Sequence, residues 1–203
     1  MSSKSTKKRE RKYSEYLKID EINHITLRQC QKEYQKTILE NHISLCYGSA
    51  GTSKTFTAVY TGLLLLAERK VNQIILTKPI QESGEKLGYL PGDVSEKINP
   101  YLQSFIDSMN KILKSKKTVE WLFTTKAIIF EPLAYMRGRT FDDAFCFLDE
   151  AQNCDFRQLM LFCTRKGKNS KIVISGDISQ YDIDKNKVAL PDFIKMIEDV
   201  KSS

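Results

Sequence analysis

The sequence predicts an α/β domain, a mainly parallel sheet covered by helices on both faces. Three observations predict it. Strand candidates such as Ile74-Ile75-Leu76 and Phe145-Cys146-Phe147-Leu148 are continuously apolar, the pattern of strands buried on both sides. They alternate along the chain with segments of helical period. Three of them run directly into short stretches of small or polar residues, and the carboxyl edge of a parallel sheet is where such groups gather. A chain of 203 residues buries roughly 70% of its unfolded surface on folding, which suits one domain of this kind.

Residues 1–20 read as a basic flexible tail and 21–203 as a single domain. Leu27, Tyr34 and Ile38 recur at helical spacing, predicting a helix over 26–39. The run 43–47 is the first strand, and 56–69 is a strongly apolar helix. A second strand covers 71–77 and is stopped by Pro79. A loop with Gly84, Gly88, Pro91 and Gly92 follows. The next helix starts from an Asp93 cap, continues through Tyr101, Phe105 and Ile112, and is closed by Lys114 to Lys117. Strands are then expected at 127–130, 144–148 and 171–175, the last two separated by a helix over 156–164.

Composition narrows the functional classes. The longest apolar run beside a helix, 63–67, is far short of the ~20 residues of a membrane span. The opening MSSKSTKKRE lacks the apolar core of a signal peptide, so a soluble intracellular protein is expected. Net charge is +7, and residues 1–12 carry +5 of it. The excess therefore describes a tail, either solvated or meeting phosphates, on a nearly neutral body. Five cysteines without a C-x-x-C pair, beside only His24 and His42, present neither a zinc site nor a disulfide framework. Cys46 and Cys146 lie in apolar runs, as small core hydrophobes do.

The chemistry concentrates at three strand ends. Gly48-Ser49-Ala50-Gly51-Thr52-Ser53-Lys54-Thr55 has the length and ending of a phosphate-binding loop. Small residues let backbone N–H groups approach phosphate, and the following helix turns its positive end toward the anion. Lys54 is expected on the β- and γ-phosphates and the Thr55 hydroxyl on Mg²⁺. Ser53 stands where such loops have glycine, and it fits if its φ is negative. The strand 144–148 ends in Asp149-Glu150, the arrangement in which one carboxylate holds Mg²⁺ and the other polarises the attacking water. A third strand ends in Ser175-Gly176-Asp177-Ile178-Ser179-Gln180. Taken singly, these features also describe a tight glycine turn and an acidic helix cap.

Several longer runs extend the pattern: Thr77-Lys78-Pro79, the stretch from Gly84-Glu85-Lys86 to Pro91-Gly92-Asp93, Pro132-Leu133-Ala134-Tyr135-Met136-Arg137-Gly138-Arg139-Thr140, Leu148-Asp149-Glu150-Ala151-Gln152-Asn153, Thr164-Arg165 and Gly176-Asp177. In kind and order they resemble the PhoH-like ATPases, a family frequent in bacteriophages, over about 31–184. The resemblance implies a RecA-like P-loop core similar to that of superfamily-one helicases. It also implies that Gln31 reads adenine, with Gln29 as a competitor, and that Gln180 senses the γ-phosphate. Lys78 and the 84–93 loop fall where helicase-like relatives touch a nucleic-acid strand, with subunit contact or a rigid lid as alternatives.

The expected function is therefore ATP binding and hydrolysis with Mg²⁺, helicase-like in its extended form, acting on RNA or single-stranded nucleic acid. The catalytic residues are Lys54, Glu150 and Gln180; Gln31 and residues 48–55 bind ATP; Thr55 and Asp149 hold Mg²⁺. The alternative is a nucleotide-binding regulatory or assembly protein with weak turnover and a protein partner. No Arg follows Arg165, whereas relatives continue to an arginine-containing segment, so a neighbouring subunit of a ring is expected to lend Arg137 or Arg139. The expected location is cytoplasmic, in the host cytoplasm if the chain is phage-encoded.

Overall fold

The computed structural model describes residues 17–80, 94–183 and 188–202. Its strands are β1 (Ile43–Tyr47), β2 (Gln73–Thr77), β3 (Ile128–Phe130), β4 (Ala144–Leu148) and β5 (Lys171–Gly176). Its helices are α1 (Gln29–Glu40), α2 (Lys54–Ala67), α3 (Val94–Leu113), α4 (Lys116–Thr124), α5 (Phe156–Cys163) and α6 (Leu190–Ser202). The strands form one sheet in the order β1-β5-β4-β2-β3, and every described pairing is parallel. β5 therefore lies between β1 and β4. The three strand ends singled out in the sequence are consecutive along one edge.

Side chains of a strand alternate between faces, and two cores follow. Ile74, Leu76, Phe145, Phe147 and Val173 join the core under α1 to α4. Their neighbours Ile75, Cys146, Leu148, Ile172 and Ile174 pack on the other face against Leu159 and Phe162 of α5 and Leu190 and Phe193 of α6. α2 is apolar on most sides because it sits on the sheet with α1 and α3 beside it. Gly62 makes that approach possible: a Cβ there would come within 2.8 Å of the Phe145 ring. Burial pushes the Cys146 thiol up to about 12, leaving it an inert core group.

Some sequence-based boundaries shift for identifiable reasons. α1 begins at Gln29 because Arg28 is extended, at ψ 164. The lysines of 114–117 do not simply close α3. Lys114 takes a left-handed turn at φ 52, and the Ser115 hydroxyl accepts from the Thr118 N–H to start α4. Polar 115–118 masks a helix that buries only Val119 and Leu122. α6 was not expected at all; Pro191 stands within its first turn, where a missing N–H costs nothing. Of the expected tail, Leu17 is 4% exposed within the core and Ile19–Glu21 form a 3-10 turn, while residues 1–16 lie outside the described residues. The Asp93 cap and the loop of 84–93 lie outside the described residues.

Candidate functional site

Residues 48–53 join β1 to α2 at the carboxyl edge. The Gly48 N–H donates to the Gly176 carbonyl at 3.2 Å, tying the loop to the end of β5. Gly51 has φ 76 and Ser53 φ 64. The condition expected for Ser53, a negative φ, is not met. It occupies the left-handed region, where a Cβ costs about 1–2 kcal/mol, which explains why glycine is usual there. Lys54 curls back along the loop, its Nζ donating to the carbonyls of Gly48 at 2.7 Å and Ser49 at 2.9 Å.

β4 ends in Asp149, which is 3% exposed and accepts from two hydroxyls. Thr55 Oγ1 donates to its Oδ2 at 2.9 Å and Ser175 Oγ to its Oδ1 at 2.6 Å. Glu150 next to it is left-handed, at φ 57, which turns its carboxylate away from the strand direction. Gln152 Nε2 donates to Glu150 Oε2 at 2.6 Å, and Gln152 Oε1 accepts from the Asp177 N–H at 2.9 Å. One buried amide thus bridges the ends of β4 and β5. Gly176 leaves room for it, because a Cβ there would meet Gln152 Oε1 at 3.1 Å and Leu190 Cδ2 at 2.6 Å.

The turn after β5 is held from both sides. Asp177 Oδ1 accepts from the Ser179 hydroxyl at 2.6 Å and the Ser179 N–H at 2.9 Å. These bonds hold its carboxyl below the ordinary value, and the Ala50 N–H and the Lys54 charge act in the same direction. Asp177 is therefore ionised at neutral pH. Asn153 and Asp182 lock the turn's far end, through Nδ2 to Oδ2 at 3.2 Å and the Asp182 N–H to Asn153 Oδ1 at 2.8 Å.

A cavity of about 370 Å³ opens on this edge. Residues 50–55, Asp149, Glu150 and Gln180 line it together, with Ser104, Ser108 and Lys111 of α3 as the opposite wall. Gly48 and Ser49 stand behind the loop as acceptors for Lys54. Gln31 is not among the lining residues. It is 9% exposed, so it is no solvated helix glutamine, and its Oε1 accepts from the Arg28 N–H at 2.8 Å to cap α1. The competitor Gln29 donates to Glu33 at the surface.

Arg137 and Arg139, expected to act on a neighbouring subunit, do not line this chain's own cavity. α5 leaves the carboxyl end of β4 and returns the chain to the start of β5, so Arg165, just past α5, lies at the amino edge. Its Nη1 donates to the Arg139 carbonyl at 2.9 Å, which ties the arginine turn to it. Arg139 pairs with Glu131 and lies 5.0 Å over the Phe141 ring. The turn is thus fastened.

Lys78 is 13% exposed at the side chain, 3.6 Å from Asp149 Oδ2, and donates to Ser104 Oγ at 2.7 Å, which joins it to the carboxylate cluster. Sequence reasoning gave no role to Gln152 or Ser175. The available signal was their place beside strand ends that already carried carboxylates.

The hydroxyl of Thr55 and the carboxylate of Asp149, already within hydrogen-bond distance of each other, are hard oxygen donors of the kind that suits Mg²⁺, an ion bound through one or two carboxylates plus phosphate.

An all-parallel sheet with a glycine-serine loop between its first strand and a buried helix, and with carboxylates at the ends of its inner strands, defines an α/β fold of the RecA-like P-loop type. The family model described as PhoH-like protein matches residues 22–203. The chain belongs to the PhoH-like family. It is 45% identical over 155 residues to a PhoH-like protein of Bacillus subtilis (strain 168), covering 76% of this chain and 48% of that one. A PhoH-like protein of Mycobacterium tuberculosis (strain ATCC 25618 / H37Rv) is 44% identical over 153 residues, 75% of this chain and 43% of its own length. Protein PhoH of Escherichia coli (strain K12) is 35% identical over 157 residues, 76% of this chain and 44% of its own. The chain thus matches less than half the length of these relatives. No helix among the described residues is long and apolar enough to cross a membrane.

Proposed function

We propose that this chain binds ATP and hydrolyses it. The single observation that carries the reading is the convergence of Lys54, Thr55, Asp149, Glu150 and Gln180 on one cavity from three consecutive strand ends. Lys54 and the N–H groups of 50–55 hold the phosphates, and the start of α2 favours their charge. Thr55 and Asp149 are the residues that would hold Mg²⁺, which when bound neutralises phosphate charge. Glu150 accepts a proton from the attacking water: the water oxygen bonds to the γ-phosphorus, the bond to the bridging oxygen breaks, and its electron pair leaves with ADP. Gln180, on the turn fastened to β4 by Gln152 and Asn153, follows the γ-phosphate.

The substrate of the resulting motion is single-stranded RNA or DNA in this reading, supported by the helicase-like character of the motif set. An ATPase assay on the purified chain, with and without single-stranded RNA, tests both parts. Turnover that rises with RNA and vanishes in Glu150→Gln while nucleotide binding persists is the expected result. Binding without turnover in the unaltered chain would replace the enzyme by a nucleotide-binding regulatory protein.

A further inference from the structure

Lys78 follows the last residue of β2, directly beside the strand that ends in Asp149. Its surroundings are unusual for a lysine. The aliphatic stem is buried, the ammonium stands 5.0 Å over the face of Phe105, and its short hydrogen bond, 2.7 Å, goes to a neutral hydroxyl, Ser104 Oγ. The nearest carboxylate oxygen, Asp149 Oδ2, is 3.6 Å away, well beyond the ~2.7–2.9 Å of a tight charge-assisted bond. Asp149 already takes the hydroxyls of Thr55 and Ser175. Lys78 is therefore a largely buried cation strapped in place by α3 and only loosely paired.

It also faces the reacting end of the site. A second cavity, of about 380 Å³, is lined by Lys78 together with Glu150, Gln152 and Gln180, three residues that also line the nucleotide cavity. Among the described residues, the other cations near the chemistry are placed differently. Lys54 is bonded to its own loop, Lys111 stands at the α3 wall, and Arg139 is paired with Glu131 outside the lining of both cavities. A cation fixed in place before reaction stabilises developing charge better than one that must be recruited from solvent.

We propose that Lys78 is a catalytic cation of this site, placed in cis to donate N–H groups to the terminal phosphate of ATP as negative charge develops on it. The inference rests on the ATPase reading above and deepens it. Lys78 forms no covalent bond and gives up no proton. Water and ATP yield ADP and phosphate, the water's proton leaves through Glu150, and Lys78 lowers the barrier by charge alone. Ser104 and Phe105 are its positioning residues.

The test compares Lys78→Met, Lys78→Arg and Ser104→Ala with the unaltered full chain. It measures turnover, affinity for a non-hydrolysable ATP analogue, and affinity for ADP with aluminium fluoride, a mimic of the transition state. Lys78→Met is expected to hold the ATP analogue within about threefold of the unaltered chain, the mark of an interaction made mainly in the transition state. It should lose turnover and capture of the fluoride complex by roughly 10²–10³-fold, the size found for removal of one preorganised donor. Lys78→Arg should restore most of both. Ser104→Ala keeps the charge and the fold but loosens the strap, and should lose a smaller part of the fluoride affinity alone. Equal losses for both ligands, or none, in Lys78→Met would overturn the proposal even if the unaltered chain hydrolyses ATP and Glu150→Gln does not. An unaltered chain that binds nucleotide without turnover would overturn the ATPase reading and the proposal with it.

Discussion

The two edges of the sheet use the same backbone device for opposite ends. At the amino edge, left-handed residues stop and redirect the chain: Arg69 after α2, Lys126 after α4, and Asp143 and Asn169 in the turns entering β4 and β5. Arg69 sits in a closed helix terminus, with its N–H on the Leu66 carbonyl at 3.1 Å and the Lys70 N–H on Leu65 at 2.9 Å. At the carboxyl edge the described left-handed residues other than glycine are Ser53 and Glu150, and they aim a loop and a carboxylate into a cavity. The hydrogen bonds follow the same division. Arg165 and Ser170 bind backbone carbonyls at the amino edge, whereas the carboxylates of Asp149 and Glu150 accept from side chains at the carboxyl edge, where Gln152 also reaches the Asp177 backbone. Backbone-anchored edges hold shape; an edge built from side chains can change partners.

The largest expected contrast comes from Glu150→Gln. Turnover should fall by roughly 10²-fold or more while ATP affinity is kept, as for loss of a positioned base. Isothermal titration beside a phosphate-release assay would check this, and Lys54→Ala should lower both quantities. Next, Gln152→Ala removes the bridge between β4 and β5 and leaves the buried Asp177 N–H without its acceptor, costing about 1–3 kcal/mol. Here turnover should drop as well, because Glu150 loses its tether. Arg165→Ala breaks the comparable fastening at the other edge. Stability in urea should fall by about 1–2 kcal/mol, with turnover per folded molecule unchanged; a matching loss of turnover would merge the two edges into one unit. The smallest effects come from glycine. Arg69→Gly and Ser53→Gly should each relieve backbone cost by about 1 kcal/mol or less, but only Ser53→Gly should also tighten ATP, modestly, in a fluorescent-nucleotide titration.

The same division explains what was legible in the sequence. Apolar runs locate β4, β5 and α2 to within about two residues, since burial on both sides leaves little room for polar positions, and β1 equally well although it is an edge strand with Ile43 and Tyr47 exposed. The loop at 48–55 and the pair Asp149-Glu150 were readable because their chemistry needs fixed residue types at short spacing. α4 and α6 were not, since each buries a narrow stripe beneath a charged surface. The roles of Lys78, Gln152 and Ser175 were hidden for another reason: a side chain that works through neighbours from other strands has no local signature. Ser53 was legible as a departure, and only its backbone angle tells what the departure costs.

The amide of Gln152 has a polarity, and that polarity gives the site a sense of direction. Its nitrogen end must face the Glu150 carboxylate and its oxygen end the Asp177 N–H; a half-turn about the last bond would set oxygen against oxygen and hydrogen against hydrogen. The bridge therefore behaves as a keyed connector. Flipping the amide would break both of its hydrogen bonds at once, so the ends of β5 and β4 are joined in one orientation only.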